Sequence, residues 1–350
     1  MLTGTGAGFT SLWSGDVMVT PNHFDRTKTT IVGIGNALVD ILAHEDDIFV
    51  EKTGYRKGGM NLVESVFIDQ TLSIVSGTTT VVPGGSACNT IVGVGKLGGN
   101  ARFIGKCGQD AMGELFKEDL QNSHVDPILM KSASHTGRVL SIVTPDAQRS
   151  MFTHLGAASE LTPDEIVGCN FMDAAIVHVE GYLLFNSDLI ITALRRAKED
   201  GAMVSLDLAS YTVVESSKEL LETLVTEYVD ILMANEDEAA AFTGYHDERK
   251  AIEALSERAK IAVLKIGSRG SYIAYDGEIV KIDPMGEGSA IDTTGAGDLW
   301  ASGFLFGLTR GYAVEKCGRL ASACGYEVCQ VVGADISDEG WSRIKRITEE

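Results

Sequence analysis

Short β-branched runs alternate along this chain with longer stretches in which apolar residues return every third or fourth position. The alternation is clearest in the second half. Runs at 174–179, 203–208 and 230–233 predict strands, and the segments 187–199 and 215–227 between them predict amphipathic helices. Regular succession of strand and helix implies right-handed crossovers and a mainly parallel sheet covered by helices on both faces. Residues 30–36 (TIVGIGN) predict the first core strand, 101–105 a second, and 261–277 a strand, a glycine turn and a hairpin. Residues 137–144 and 149–154 predict two strands joined by the turn TPDAQ. From Glu45 to Ser76 the pattern turns acidic, and Met60, Leu62, Val63, Val66 and Phe67 return at near-helical spacing, which predicts a helical insertion.

The sequence is organised around residues 291–308, IDTTGAGDLWASGFLFGL. Glycines here stand at the mouth of an apolar helix. The N–H groups of Gly295, Ala296 and Gly297 should lack intrahelical acceptors, and the helix dipole adds roughly half a positive charge there. Such a terminus binds anions, and suits a phosphoryl group gathering charge during transfer. Asp298 would hold a carboxylate beside that hole, within reach of a hydroxyl proton. The plainer reading is a capped helix after a glycine turn, with Asp298 favourable through the dipole alone.

Composition narrows the partners. With 49 acidic against 29 basic residues the net charge is −20, so there is no electrostatic footprint for nucleic acid or anionic membrane. The same field repels nucleotide phosphates, and phosphate chemistry here would need Mg²⁺ and local cationic or N–H groups. The six cysteines show no CxxC and no metal-knuckle spacing, which predicts free thiols in a reducing cytoplasm. No apolar run reaches the roughly 18 residues of a membrane span. Residues 1–28 lack the basic start and continuous apolar core of a signal peptide and read as a flexible extension, within which Met18 is a candidate start.

Further polar residues fall where ligands bind in open α/β sheets, at the carboxyl ends of strands. Gly33-Ile34-Gly35 invites a dinucleotide reading, but Leu38 stands where the third glycine belongs. Asn36 and Asp40 instead follow the first strand as candidate ligand contacts. In PGGSACNT, Gly84 and Gly85 would let a ligand approach the backbone, and Ser86 and Asn89 share one helical face. Tyr182 ends another strand and could stack on a ring, or simply pack in the core. Asn235 and Glu238, at i and i+3, share a face at a helix start. Gly267 and Gly270 would admit a nucleotide, and Lys265 could reach its phosphates. No GxxxxGK[ST] loop exists.

DTTGAGD resembles the signature of the ribokinase-like (phosphofructokinase-B type) carbohydrate and nucleoside kinases. GNALVD, GGSACN, the 137–154 hairpin and NEDE follow in that family's order, so that the resemblance spans residues 31–336. It implies an α/β/α sandwich over 29–350 with a small β lid from segments near 37–60 and 136–155. It implies Asp298 as catalytic base, the Gly295–Ala296–Gly297 turn as anion hole, and Asn36, Asp40, Gly84, Gly85, Ser86 and Asn89 on the sugar. It further implies Arg149 as a lid arginine, Asn235 and Glu238 ordering Mg²⁺ through water, Ser322 on the adenine wall and Asp292 beside a K⁺-type cation. The reaction implied is ATP-dependent phosphorylation of a primary hydroxyl by a cytoplasmic monomer or homodimer. GNALVD, PGGSACNT and the insertion resemble adenosine kinases most; a ribokinase, a fructokinase, another nucleoside kinase or a non-catalytic sugar or nucleoside sensor are the alternatives.

Overall fold

The computed structural model describes residue 25 and residues 27–146, 148–286 and 288–349; the predicted extension up to residue 24, with Met18, lies outside them. Among the described residues fourteen strands form two sheets. In chain order they are β1 (Thr30–Ile34), β2 (Leu38–His44), β3 (Gly59–Leu62), β4 (Thr80–Gly84), β5 (Asn100–Gly108), β6 (Val125–Ser132), β7 (Gly137–Val143), β8 (Arg149–His154), β9 (Ala174–Glu180), β10 (Met203–Asp207), β11 (Ile231–Asn235), β12 (Ile261–Lys265), β13 (Ser271–Tyr275) and β14 (Glu278–Ile282).

The large sheet runs β14-β13-β12-β11-β10-β9-β1-β5-β6, parallel from β12 to β6 and antiparallel only in the β12–β13–β14 hairpins. Its strands are buried on both faces. Val32, Val177 and Leu232 pack under the helices Ser187–Glu199, Lys218–Glu227, Glu236–Thr243 and Glu248–Ser256. Ile31, Ile176 and Ile231 face the helices Ser86–Lys96, Ala111–Asn122, Ala296–Thr309 and Val314–Val328. This is the three-layer α/β/α sandwich expected from the alternation of strand and helix. Strand order reverses between β1 and β9, and a ligand cleft belongs at that switch point, outside the carboxyl ends of the strands.

The second sheet, β3-β8-β7-β2-β4, is the lid. Its inner face lines the cleft with Leu38, Asp40, Met60, Val139 and Met151. Its outer face carries Ile41, Leu140, Ile142 and Phe152, covered by the helices Asp47–Lys52 and Ser65–Leu72. Here the helical reading of residues 45–76 needs correction. Gly58 and Gly59 both take positive φ, 81° and 79°, which breaks helical geometry, and the chain then pairs with β8 as β3. Met60 and Leu62 therefore share a face by the period of two of a strand. Two smaller differences have equally local causes: Ser217 (φ −124°, ψ 20°) splits the predicted 215–227 helix, and the edge strand β6, which contains Pro127, is not among the predicted strands. All six cysteines are free, and no helix among the described residues is long and apolar enough to cross a membrane.

The helix Ala296–Thr309 is buried along nearly its whole length because small residues let its neighbours approach. A Cβ on Gly303 would lie 2.8 Å from Ala321 Cα and 2.9 Å from Leu320 O, both backbone atoms of the next helix. Gly303→Ala gains up to about 1 kcal/mol of helix propensity. Overpacking against a backbone that cannot rotate away costs about 1–3 kcal/mol and outweighs it. The expected outcome is a lower urea midpoint; a midpoint equal to or above that of the parent would show that the two helices separate freely.

Candidate active site

One cleft of about 920 Å³ opens between the lid and the carboxyl ends of the large sheet. This is near the top of the roughly 300–1,000 Å³ that small-molecule pockets span. Of the residues singled out from sequence, all but Gly84 and Asp292 line it. Gly84 sits just behind, where a Cβ would come within 2.7 Å of the Asp40 carboxylate. Asp292 is buried beneath the glycine turn. Its Oδ1 accepts from Thr294 N (2.9 Å) and Oγ1 (2.7 Å), and its Oδ2 from Gly333 N (2.8 Å), so that it ties the turn to the 330s loop.

Gly295 caps the helix in the left-handed region (φ 72°), and helical residues begin at Ala296. The turn differs from expectation in one respect: Ala296 N donates to Thr293 O (3.2 Å), which leaves Gly295 and Gly297 as the glycine amides that could receive an anion. Asp298 stands beside them. Its Oδ1 accepts from Ser86 Oγ (2.8 Å), its Oδ2 from Asn89 Nδ2 (2.9 Å), and its carbonyl from Thr90 Oγ1 (3.1 Å). Ser86 and Asn89, whose sequence pattern suggests contacts to a sugar, here aim the carboxylate. Desolvation nonetheless raises the Asp298 pKa above the ordinary value, and the two hydrogen bonds offset only part of that.

Asn36 lies in the link between β1 and β2, and Asp40 lies in the middle of lid strand β2 rather than at the end of the core strand. The chain crosses from sheet to sheet at Gly35, so the two residues enter the cleft from different layers. Asp40 is buried and its pKa rises to about 6, chiefly by desolvation, with Arg149 pulling it back and Asp298 pushing it further. Arg149, half-buried at the start of β8, is thus felt at the Asp40 end of the cleft. Gly85, at φ 101°, has its Cα against the Asn36 carbonyl, where a Cβ would not fit.

Glu180, at the end of β9, accepts from Asn36 N (2.9 Å), Asn36 Nδ2 (2.6 Å) and Ala87 N (2.9 Å), pinning β1 to the helix that carries Ser86. Burial still lifts its pKa to about 7. Tyr182 follows in a short 3₁₀ turn, its hydroxyl 3.5 Å from Ala209 O, and desolvation pushes its pKa upward.

At the other end, Asn235 and Glu238 form a reciprocal capping box. Glu238 Oε2 accepts from Asn235 N (2.8 Å) and Oε1 from Asn235 Nδ2 (2.6 Å), while Asn235 Oδ1 accepts from Glu238 N (2.9 Å). Desolvation raises Glu238 to about 7. Lys265, at the end of β12, donates to Asp207 Oδ2 at 2.6 Å, and a Cβ on Gly297 would lie 3.1 Å from its Nζ. Its pKa is raised, since the surrounding carboxylates outweigh burial. A Cβ on Gly267 (φ 56°) would meet no described atom within 4 Å, which leaves room for a ligand, whereas Gly270 is required by contact with the Ile282 carbonyl. Ser322 is buried in the wall formed with Gly325 and Tyr326. Asp207 is a further cleft residue that no motif singles out; the signal for it is an acid closing the apolar run MVSL, at the end where ligands bind.

Comparison with known proteins bears on this cleft. The pfkB family carbohydrate kinase model matches residues 61–340. The crystal structure of an adenosine kinase from Sinorhizobium meliloti superposes with a TM-score of 0.85 at 33% identity, covering 91% of this chain and 99% of that one. A 5-dehydro-2-deoxygluconokinase of Geobacillus thermodenitrificans is 30% identical over 264 residues, 70% of this chain and 78% of its own length. A ribokinase of Arabidopsis thaliana is 28% identical over 329 residues, 90% of this chain and 81% of its own. The chain belongs to the pfkB family of carbohydrate kinases, with the ribokinase-like fold, and is an ATP-dependent sugar or nucleoside kinase.

Proposed function

We propose that the enzyme transfers the γ-phosphoryl group of ATP to the primary hydroxyl of a nucleoside, with adenosine as the acceptor. The observation that carries this is the inner face of the lid. Met60 of β3 pairs in register with Met151 of β8, and Leu38, Leu62 and Val139 extend the apolar surface opposite Tyr182. A free sugar offers hydroxyls and little to cover such a wall. A purine has two flat apolar faces and fits it.

Asp40 would hold the ribose hydroxyls, and Asn36, Gly85 and the lid arginine Arg149 would complete that end. Asp298 would take the proton of the 5′-type hydroxyl as it attacks, while the amides of Gly295 and Gly297 receive the charge spreading over the phosphoryl oxygens. Gly267, Gly270 and Ser322 would border the nucleotide. Mg²⁺ fits this edge of the cleft, because Glu238 is a buried hard-oxygen donor. Glu238 spends both oxygens on Asn235, so it would hold the ion through water. Bound there, Mg²⁺ neutralises phosphate charge. Asp292, both of whose oxygens are taken, would steady a K⁺ ion by charge and carry its effect to the turn through Thr294.

Asp298→Asn keeps the shape and loses the base, so kcat should fall about 10²–10⁴-fold with an unchanged melting temperature; near-normal turnover in a folded variant removes Asp298 from that role. ADP release from Mg-ATP should be faster with adenosine than with inosine, guanosine, ribose or fructose. Turnover confined to a free sugar would keep the chemistry and overturn the acceptor.

A pH signature follows from Asp40. Its folded pKa of about 6 lies above the ordinary carboxylate value, and only the ionised form accepts bonds from two hydroxyls. Acceptor KM should therefore rise as pH falls through about 6, approaching tenfold per unit at the acid end. Asp40→Asn should show weak acceptor binding without that dependence; an acceptor KM in the parent that stays flat from about pH 7.5 to about pH 5 would move the ribose elsewhere.

A further inference from the structure

Lys265 is the residue whose sequence position suggests contact with nucleotide phosphates, but its buried partner Asp207 has no assigned task. Parallel register sets Asp207 beside Glu180, and Asn235 beside Lys265, along the carboxyl edge. The ammonium is the one cation paired inside this edge among the described residues, with side-chain exposures of 14% for Lys265 and 7% for Asp207. Glu238 and Asp298 also act on it electrostatically. Its Nζ rests against Gly297, one of the two glycines whose amides form the anion hole.

An ammonium in this place meets two anions in turn. In the ligand-free cleft it has Asp207 at 2.6 Å. When a phosphoryl group lies over Gly295 and Gly297, the same Nζ is adjacent to it, and the phosphoryl carries more charge than one carboxylate. We infer that Asp207 is a positioning residue that holds Lys265 in reserve, and that Lys265 exchanges Asp207 for the transferring phosphoryl group of the nucleotide. This rests on the kinase reading through the place given to the nucleotide.

The exchange has a mechanistic use. A free ammonium would bind the phosphates equally in the ground state and the transition state, which lowers KM without raising kcat. An ammonium that must leave a carboxylate responds most strongly where the negative charge is greatest. Asp207 therefore weakens nucleotide binding while keeping the cation oriented. A merely structural pair would do the opposite, because breaking it would loosen the cleft and weaken binding.

The test is a double-mutant cycle on binding of the β,γ-imido analogue of ATP, with EDTA present and by calorimetry, using Asp207→Asn, Lys265→Met and both together. Asp207→Asn should bind at least fivefold tighter than the parent, and Lys265→Met at least tenfold weaker. The gain from Asp207→Asn should shrink below twofold when Lys265 is Met, because it acts through the ammonium. In turnover with Mg-ATP, Asp207→Asn should lower the KM for ATP without raising kcat. A gain of equal size in the Lys265→Met background would mean that removing one negative charge acts through the general field, and this overturns the exchange. Weaker binding by Asp207→Asn overturns it as well. If Asp207→Asn does not fold, Lys265→Met decides alone: unchanged affinity refutes the proposal and a tenfold loss supports it. A parent protein that turns over Mg-ATP but fails this cycle loses only the exchange, whereas one that binds no nucleotide loses its placement over the glycine turn.

Discussion

Asp40, Glu180, Asp207, Glu238 and Asp298 bring five carboxyl groups with little or no exposure into one cleft of a chain that is already acidic, beside the exposed Glu236 and Asp237. Burying ionised carboxylates is costly unless each is hydrogen-bonded or paired, and the site is built around that constraint. Glu180 takes three N–H donors, Glu238 a capping box, Asp298 two side-chain donors and Asp207 an ammonium. Each solution ties two elements together. The bonds of Glu180 join β1 and β9 to the helix Ser86–Lys96, and those of Asp298 join that helix to Ala296–Thr309. The groups that stabilise charge thus also fix geometry. Asp40 alone among the five accepts no side-chain hydrogen bond from the described residues and has Arg149 as its nearby cation, which leaves its oxygens available.

Close helix packing has the same consequence for the glycine turn. Gly93 on the helix Ser86–Lys96 meets Ser302 and Leu299, while Gly303 meets the backbone of Val314–Val328. These crossings lock the helix that starts at Ala296 from both sides. Held in this way, its N-terminus would present a fixed dipole to an anion bound over the turn, more effective there than water that must reorient. Trp300 and Phe304, whose rings stack with centroids 5.2 Å apart, anchor the same helix in the core of the large sheet.

The large sheet and the glycine turn are legible in the sequence because their signals are local. Strands such as 174–179 and 203–208 are short, mainly apolar runs, and the helix over 187–199 has the same bounds in the structure. What is not legible depends on partners distant in sequence. Met60, Val63, Val66 and Phe67 fit a helical period when counted alone, and only pairing with β8, some ninety residues later, makes Met60 and Leu62 part of a strand. Ser86 and Asn89 have the look of ligand contacts; nothing within their segment indicates Asp298, 212 and 209 positions away. Asp207 is a lone acid until Lys265 is placed beside it, 58 positions away.

Under the proposed function, the lid would separate recognition of the acceptor from the chemistry. Its outer face has its own core, formed by Ile41, Phe49, Ile68, Leu140 and Phe152 under two short helices, with Met112 of the helix Ala111–Asn122 packed against it. Its inner face is the side of each strand that points the other way, and a strand fixes that division residue by residue. Residues on the inner face can therefore change with the acceptor while the outer core stays closed. Asp298, the amides of Gly295 and Gly297 and the Lys265 ammonium are held by contacts that involve no lid strand. Under the function proposed above, the acceptor would be selected where β2, β3, β7 and β8 meet the cleft, so that changes there need not disturb Asp298 or the glycine turn.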